Sequence, residues 1–219
     1  MAGTDAIVDD AEQRARWAGF AWTEANAKAA KEIIARYPPG RQMSAVLPLL
    51  DLAQRQVGAE TGTQGWLPIP VMEYVAKALD APYIRVLEVA TFYTMFNLVP
   101  VGRFHVQVCG TTPCMLRGSE ALIELCKERI ADHPHELSSD GKFSWEEVEC
   151  LGCCANAPVV QIGKDTYEDL TPQLFDKLLY DLRTGKAPKP GSQIGRRASC
   201  PQGGPTTLLG DGKRDREKV

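Results

Sequence analysis

The chain is organised around two cysteine pairs, Cys109-Gly-Thr-Thr-Pro-Cys114 and Cys150-Leu-Gly-Cys-Cys154. Their spacing is C-x4-C, then a gap of 35 residues, then C-x3-C. Each pair follows a short run that is typical of a β-strand, residues 104–108 and residues 143–148. We therefore expect both pairs to lie in loops at strand ends, where four thiolates form an all-sulfur metal site.

Such a site suits either an iron–sulfur cluster or zinc. A [2Fe–2S] cluster needs two thiolates per iron, which two sequence-local pairs can supply. Glycines and prolines in and after these loops allow the backbone to bend around a cluster with N–H groups pointing at sulfur. They are Gly110, Pro113, Gly152 and Pro158. The main alternative is a four-cysteine zinc site that only links the two loops, although zinc pairs are most often C-x2-C. Cys150 and Cys153 also have the C-x2-C spacing, so Cys153 could replace Cys154 as a ligand.

The other candidate groups suggest no second site. Cys126 lies on a predicted helix face and is expected in the core, and Cys200 in the tail is expected to take no part. His105 is expected only to pack within its strand. The sequence contains no G-x-G-x-x-G, no P-loop and no Ser/His/Asp set that we can assemble. We therefore expect no dinucleotide site and no complete active site in this chain.

Composition limits the class of protein. The chain has 219 residues, of which 44% are hydrophobic and 24% charged, and its net charge of −3 gives no basic field for nucleic acid. The acidic N-terminus has neither the apolar core of a secretory signal nor the arginines of a transit peptide, and no stretch is long and apolar enough for a membrane span. We therefore expect a cytoplasmic location, where seven cysteines stay reduced and do not form disulfides.

Helix signals dominate the first half of the sequence. After a flexible lead over residues 1–19, helices are predicted from Thr23 to Tyr37, from Ser44 to Gly58, from Pro70 and from Pro82 to Tyr93. Apolar residues near Trp17 in the lead should pack either on their own domain or on a partner. Four short helices with short connections predict a four-helix bundle over residues 20–98.

The second half changes to a β-rich pattern. Strands at 104–108, 143–148, 158–162 and 166–170 alternate with helices over 120–130 and from Thr171 to Gly185. The order β-α-β-β-β-α over residues 99–185 outlines a thioredoxin-like domain, so the predicted class is α+β. Residues 186–219 form a basic tail rich in Gly and Pro, either disordered or laid along a partner with an anchor at Leu208-Leu209.

Acidic residues surround the second cysteine pair. The segment 136–150 contains one lysine, Lys142, and five acidic residues, namely Glu136, Asp140, Glu146, Glu147 and Glu149. Fixed negative charge disfavours the addition of an electron, so a cluster in this site should have a low reduction potential.

Long strings around the cysteines carry a family resemblance. Across roughly residues 20–190, the chain resembles the thioredoxin-like [2Fe–2S] subunits of the 24 kDa type of NADH:quinone oxidoreductase, the proton-pumping respiratory complex I. The matching strings are Gly65-Trp66-Leu67-Pro68, Val89-Ala90-Thr91-Phe92-Tyr93-Thr94-Met95-Phe96, Val108-Cys109-Gly110-Thr111-Thr112-Pro113-Cys114 and Glu149-Cys150-Leu151-Gly152-Cys153-Cys154-Ala155-Asn156-Ala157-Pro158.

The resemblance implies one [2Fe–2S] cluster held by Cys109, Cys114, Cys150 and Cys154, with Cys153 at a position where the family usually has a small residue such as Ala. The implied partners are a flavoprotein subunit that binds FMN and NADH and the large iron–sulfur subunit of the peripheral arm, with the whole peripheral to the inner membrane. Related subunits serve NAD-linked hydrogenases and formate dehydrogenases, which are the alternative assignment. The tail, with Gly195-Arg196-Arg197 and Gly203-Gly204-Pro205-Thr206-Thr207-Leu208, resembles the longer tails of members from mitochondria and α-proteobacteria, which favours the respiratory complex.

Overall fold

A computed structural model describes residues 11–199 and residue 203. Within these residues the chain forms eight α-helices and one five-stranded sheet, so the predicted mixture of helices and a small sheet is confirmed. The described chain divides into two compact units. The first comprises residues 11–106 and 126–146, and the second comprises residues 107–125 and 147–199.

Helices build most of the first unit. They are α1 (Ala11–Trp17), α2 (Glu24–Ile34), α3 (Val46–Thr61), α4 (Ile69–Ala78) and α5 (Tyr83–Phe92), with a 3-10 turn over Gln42–Ala45. Helices α2 to α5 correspond to the four predicted helices, whereas α1 lies in a segment predicted as a flexible lead. Trp17 at the end of α1 is buried, and its ring meets Trp66 edge-on at 5.9 Å between centroids. Trp17 therefore packs on its own unit.

Local sequence sets the helix ends in this unit. The Thr23 side chain accepts a hydrogen bond from the Asn26 N–H at 3.3 Å, which is the predicted N-cap of α2. This helix ends at Ile34, three residues before the predicted end, because the prolines that follow Tyr37 disfavour helical backbone before them. Gly62 ends α3 in the left-handed conformation (φ +70°).

The sheet has the strand order β2-β1-β3-β4-β5. Its strands are β1 (Phe104–Cys109), β2 (Phe143–Val148), β3 (Val159–Ile162), β4 (Asp165–Glu168) and β5 (Gly191–Ser192). Strands β3 and β4 form an antiparallel hairpin in which Ile162 faces Asp165, so the turn consists of two residues. Strand β5, which was not predicted, runs parallel to β4 and pairs Ser192 with Glu168.

The remaining helices are α6 (Thr112–Leu116), α7 (Ser119–Arg129) and α8 (Pro172–Arg183). Thr171 caps α8 by accepting a hydrogen bond from the Leu174 N–H at 3.2 Å, as predicted. Helix α6 was predicted as a loop, because its five residues are too few for a visible helical period. The predicted tail begins in the second unit with β5, and its proposed anchor at Leu208-Leu209 lies outside the described residues.

Candidate metal centre

The first cysteine pair lies at the end of a buried strand. Cys109 is the last residue of β1, Cys114 lies in α6, and both are buried. The Gly110 N–H donates to the Val148 carbonyl at 3.0 Å, which joins this loop to the end of β2. The Gly110 Cα lies against the Glu147 side chain, whose exposed carboxylate would have to move if a Cβ were added there.

The second pair lies in an exposed loop after β2. Cys150 follows the strand, and Cys154 opens a 3-10 turn over Cys154–Asn156. Both thiols are exposed, and their sulfur atoms are 3.3 Å apart. The Gly152 N–H donates to the Cys150 sulfur at 3.4 Å, and Gly152 has a left-handed backbone (φ +83°) that turns its N–H inward. This predicted feature of the loop is present.

A threonine within the first loop contacts sulfur from both loops. The Thr111 hydroxyl is 3.2 Å from the Cys109 sulfur, and it also lowers the pKa of Cys150 through a side-chain hydrogen bond. Sequence reasoning did not single out Thr111. The available signal was a hydroxyl residue inside the C-x4-C loop, where a short side chain can reach the sulfurs that flank it.

The protonation pattern differs within each pair. Burial raises the pKa of Cys109. Hydrogen bonds with Thr111, with the backbone of Leu151 and with the Cys114 side chain outweigh burial and leave this pKa below its ordinary value. Burial, followed by the hydrogen bond to Cys109, raises the pKa of Cys114 to about 12.

The same division occurs in the outer pair. The Gly152 N–H, followed by the Cys154 thiol, lowers the pKa of Cys150. The hydrogen bond to Cys150, followed by burial, raises the pKa of Cys154. One sulfur in each pair therefore loses its proton more readily than the other.

Cys153 has a different environment from Cys154. Burial and the nearby Glu168 carboxylate raise the pKa of Cys153, whose thiol interacts with Thr166 and Glu168 on β4. Its side chain also packs against the apolar cluster of Cys109, Cys114, Ala157 and Val159. These contacts support Cys154 as the partner of Cys150. Cys126 is fully buried, as expected for a core residue, and Cys200 lies outside the described residues.

The donor set fits an iron–sulfur cluster. Four thiols stand in two interacting pairs, and in two of them the lowered pKa makes it easier to form the thiolate that iron requires. Across the residues that the structure describes, no three His, Cys, Asp or Glu side chains form a group that could hold a metal ion. The cysteines therefore stand as two pairs, Cys109 with Cys114 and Cys150 with Cys154.

A Ser/His/Glu arrangement that the sequence did not reveal lies in the first unit. His105 Nδ1 is 2.8 Å from the Ser144 Oγ, and its Nε2 is 3.1 Å from Glu146 Oε1. Ser144 is fully buried and its Oγ accepts the Gly102 N–H at 3.0 Å. A buried hydroxyl cannot meet a substrate, so these residues form a structural network and not a nucleophilic site. His105 thus does more than pack within its strand.

The sequence matches the profile of the thioredoxin-like [2Fe-2S] ferredoxin family over residues 30–183, which is more than half of the chain. The chain belongs to this family. The matched residues include the four cysteines and strands β1 to β4, which identifies the strand and helix order described above as the thioredoxin-like ferredoxin fold.

Relatives of this ferredoxin are named as subunits of NADH-quinone oxidoreductase. The chain is 53% identical over 201 residues to the E 1 subunit of that enzyme from Rhizobium meliloti (strain 1021), covering 90% of this chain and 70% of the relative. It is 55% identical over 164 residues to the E subunit of the enzyme from Rickettsia bellii (strain RML369-C), covering 75% of this chain and 95% of the relative.

A solved structure has a similar fold. An NAD+-reducing [NiFe]-hydrogenase in the H2-reduced state superposes with a TM-score of 0.51 and 18% identity, covering 62% of this chain. This ferredoxin spans 23% of the hydrogenase chain, and at that identity the likeness shows the fold alone. In the part of the ferredoxin that the structure describes, no helix combines the length and the apolar character needed to cross a membrane.

Proposed function

We propose that this ferredoxin is the electron-carrying [2Fe–2S] subunit of the NADH-dehydrogenase module of NADH:quinone oxidoreductase. The single observation that carries the proposal is the placement of two thiol pairs on loops that follow β1 and β2. Thr111, in the first loop, interacts with a sulfur of each pair. Identity above 50% to chains named as E subunits of NADH-quinone oxidoreductase supports the assignment to this enzyme.

Cys109, Cys114, Cys150 and Cys154 would hold the two irons as two thiolate pairs. When bound, the cluster would supply the chemistry of accepting and releasing one electron at a time. The buried Cys109 and Cys114 and the apolar cluster around them keep water from the inner side of the site. Thr111 and the Gly152 N–H stabilise thiolate charge by donating to sulfur.

Electrons would be exchanged with FMN on the partner flavoprotein subunit, which also binds NADH. The exposed thiols of the outer pair support exchange through this face, because electron transfer requires close approach of the two centres. The large iron–sulfur subunit of the peripheral arm is the second proposed partner. In this proposal the chain is peripheral to the membrane, contributes to a proton-translocating oxidoreductase and has no complete active site of its own.

Metal and sulfide analysis tests the cofactor. The full chain, purified or reconstituted without oxygen, should contain about two iron and about two acid-labile sulfide per chain and give a [2Fe–2S] spectrum on reduction. One zinc per chain without sulfide would instead establish the alternative of a zinc-linked adaptor, in which the four thiolates only join two loops. A colourless, redox-silent chain after reconstitution would also end the proposal.

Co-purification tests the enzyme. The native chain should purify with an FMN-containing NADH-oxidising subunit and with quinone-reducing activity. Purification with a hydrogenase or a formate dehydrogenase would establish the alternative in which this ferredoxin serves the diaphorase module of one of those enzymes. The two domains proposed for the chain, a helical bundle over residues 20–98 and the ferredoxin domain over 99–185, with a lead over 1–19 and a tail over 186–219, do not depend on which enzyme is found.

A further inference from the structure

The start of the tail lies against the second cysteine loop within the second unit. Strand β5 pairs with β4, and the Gln193 N–H continues this pairing by donating to the Glu168 carbonyl at 3.0 Å. The chain then turns, with the Arg196 N–H donating to the Ser192 hydroxyl at 2.9 Å. This turn places the Arg196 side chain beside the residues that follow Cys154.

Arg196 joins a carboxylate to the backbone of the cysteine loop. Its Nε is 3.0 and 3.2 Å from the two Asp169 oxygens, and its Nη2 is 2.7 Å from Asp169 Oδ1. The same Nη2 donates to the carbonyl of Ala155 at 2.6 Å. Ala155 is the residue after Cys154, and Asp169 is the residue after β4. One guanidinium therefore hydrogen-bonds both the residue that follows β4 and the backbone next to a proposed ligand.

Asp169 is shaped to hold this guanidinium. Its side chain is only 4% exposed, so its negative charge requires a partner. The carboxylate also accepts the Ser192 hydroxyl at 2.6 Å, and the Asp169 N–H donates to the Asn156 carbonyl at 2.7 Å. The backbone of Asp169 is left-handed (φ 57°), a conformation that Asp and Asn tolerate better than most residues. Asp169 and Arg196 therefore bond successive carbonyls of the 3-10 turn over Cys154–Asn156.

A lysine could not reproduce this arrangement. The planar guanidinium donates to two oxygens of one carboxylate and to a carbonyl at the same time, whereas an ammonium is a point charge on a flexible stem. The outer cysteine loop is otherwise exposed at both of its proposed ligands. A ligand needs its neighbouring backbone fixed to within about 0.5 Å if the site is to keep its metal.

We propose that Arg196 is a positioning residue of the metal centre, which holds Cys154 in place through the Ala155 carbonyl and Asp169. The inference rests on the proposed function, in that Cys154 must be a ligand of the cluster. It assigns a role at the cluster to the first residues of a tail that sequence reasoning placed on a partner or left disordered.

The test compares Arg196→Ala with Arg197→Ala in the full chain after anaerobic reconstitution. Arg197 offers the same change of charge one residue away and is exposed. The measured quantities are the rate at which the cluster absorbance disappears in excess iron chelator and the EPR spectrum of the reduced cluster. Arg196→Ala should lose its cluster about 10- to 100-fold faster than the unchanged chain and should shift the EPR signal, while Arg197→Ala should behave as the unchanged chain.

Two further variants separate positioning from general stability. Arg196→Lys should retain the cluster better than Arg196→Ala but less well than the unchanged chain. It keeps the positive charge but cannot form the hydrogen bonds to Asp169 and to the Ala155 carbonyl at the same time. Asp169→Asn tolerates the same left-handed backbone and removes the carboxylate charge, so it should approach the loss rate of Arg196→Ala. The double variant Arg196→Ala with Asp169→Asn should lose its cluster no faster than Arg196→Ala alone, since both changes break the same ion pair.

The outcomes distinguish this inference from the proposed function. If the unchanged chain holds no cluster, the proposed function fails and the inference fails with it. If the unchanged chain holds the cluster and Arg196→Ala releases it at the rate of Arg197→Ala, only the inference is overturned. A lower midpoint of thermal unfolding for Arg196→Ala with an unaltered EPR spectrum and an unaltered release rate would also overturn it, because that result indicates a merely structural ion pair.

Discussion

At the scale of single residues, the two sulfurs of each cysteine pair have opposite tendencies. Cys109 and Cys150 have lowered pKa values because they accept hydrogen bonds, whereas the pKa values of Cys114 and Cys154 are raised. Cys109 and Cys150 therefore give up their protons to an incoming metal more readily than Cys114 and Cys154 do.

Cluster loading should therefore depend on pH. Iron must displace the protons of Cys114 and Cys154, so loading releases protons and becomes more favourable as the pH rises toward the raised pKa values. Competition with a chelator of known affinity at pH 6.5 and pH 8.5 measures this dependence. The iron retained should be greater at the higher pH by at least about tenfold in apparent affinity, and equal retention at both pH values would contradict the assignment of protons.

The choice between adjacent cysteines can be tested directly. Cys154→Ala should abolish the cluster, because it removes the sulfur that lies 3.3 Å from Cys150. Cys153→Ala should keep the cluster, because that thiol interacts with Thr166 and Glu168 instead. Iron and sulfide content of the two variants gives the answer, and a reversed pattern would show that Cys153 is the ligand.

Thr111 should influence the reduction potential. Its hydroxyl lies 3.2 Å from the Cys109 sulfur and can donate one hydrogen bond to a ligand thiolate, which stabilises the more negative, reduced state. Thr111→Val keeps the shape but removes the donor, so the potential should fall by on the order of 40 mV, which corresponds to one lost hydrogen bond of about 1 kcal/mol in a one-electron couple. Thr111→Ser retains the hydroxyl and serves as the control, and a redox titration of the three chains measures the difference.

At the scale of helices and strands, sequence reasoning succeeded where local patterns were strong. The bounds of β2 were predicted without error at Phe143–Val148, and the Thr171 cap with Pro172 located the start of α8. The five-residue α6 and the two-residue β5 are too short to show a period. The Arg196–Asp169 pair joins residues 27 positions apart, and a local sequence pattern cannot predict a contact at that separation.

The Ser144 network links the ends of β1 and β2 within the first unit. Ser144 is fully buried and bonds both the Gly102 N–H and the His105 ring. Ser144→Ala would remove the hydrogen bonds of this hydroxyl to the buried Gly102 N–H and to the His105 ring, and it should lower the free energy of unfolding by about 1–3 kcal/mol. Urea denaturation measures the loss, and Ser139→Ala at an exposed position should change stability by no more than about 0.5 kcal/mol.

At the scale of the whole molecule, charge should set the working potential. The sequence has net charge −3, and the Glu147 carboxylate lies against Gly110, next to the proposed ligand Cys109. A low potential, clearly negative in a redox titration, is expected because fixed negative charge disfavours a further electron. Glu147→Gln should raise it by on the order of tens of millivolts, and added salt should shrink this difference because Glu147 is exposed. A clearly positive potential for the unchanged chain would contradict the expectation.

The outer sulfurs, Cys150 and Cys154, stand 3.3 Å apart at the surface. This short distance suits the binding of one iron by both sulfurs. It also favours oxidation by oxygen to a Cys150–Cys154 disulfide, which cannot bind a metal. The order of events during biogenesis therefore matters for this chain. Iron and sulfide must arrive, or a neighbouring subunit must cover the loop, before oxygen does.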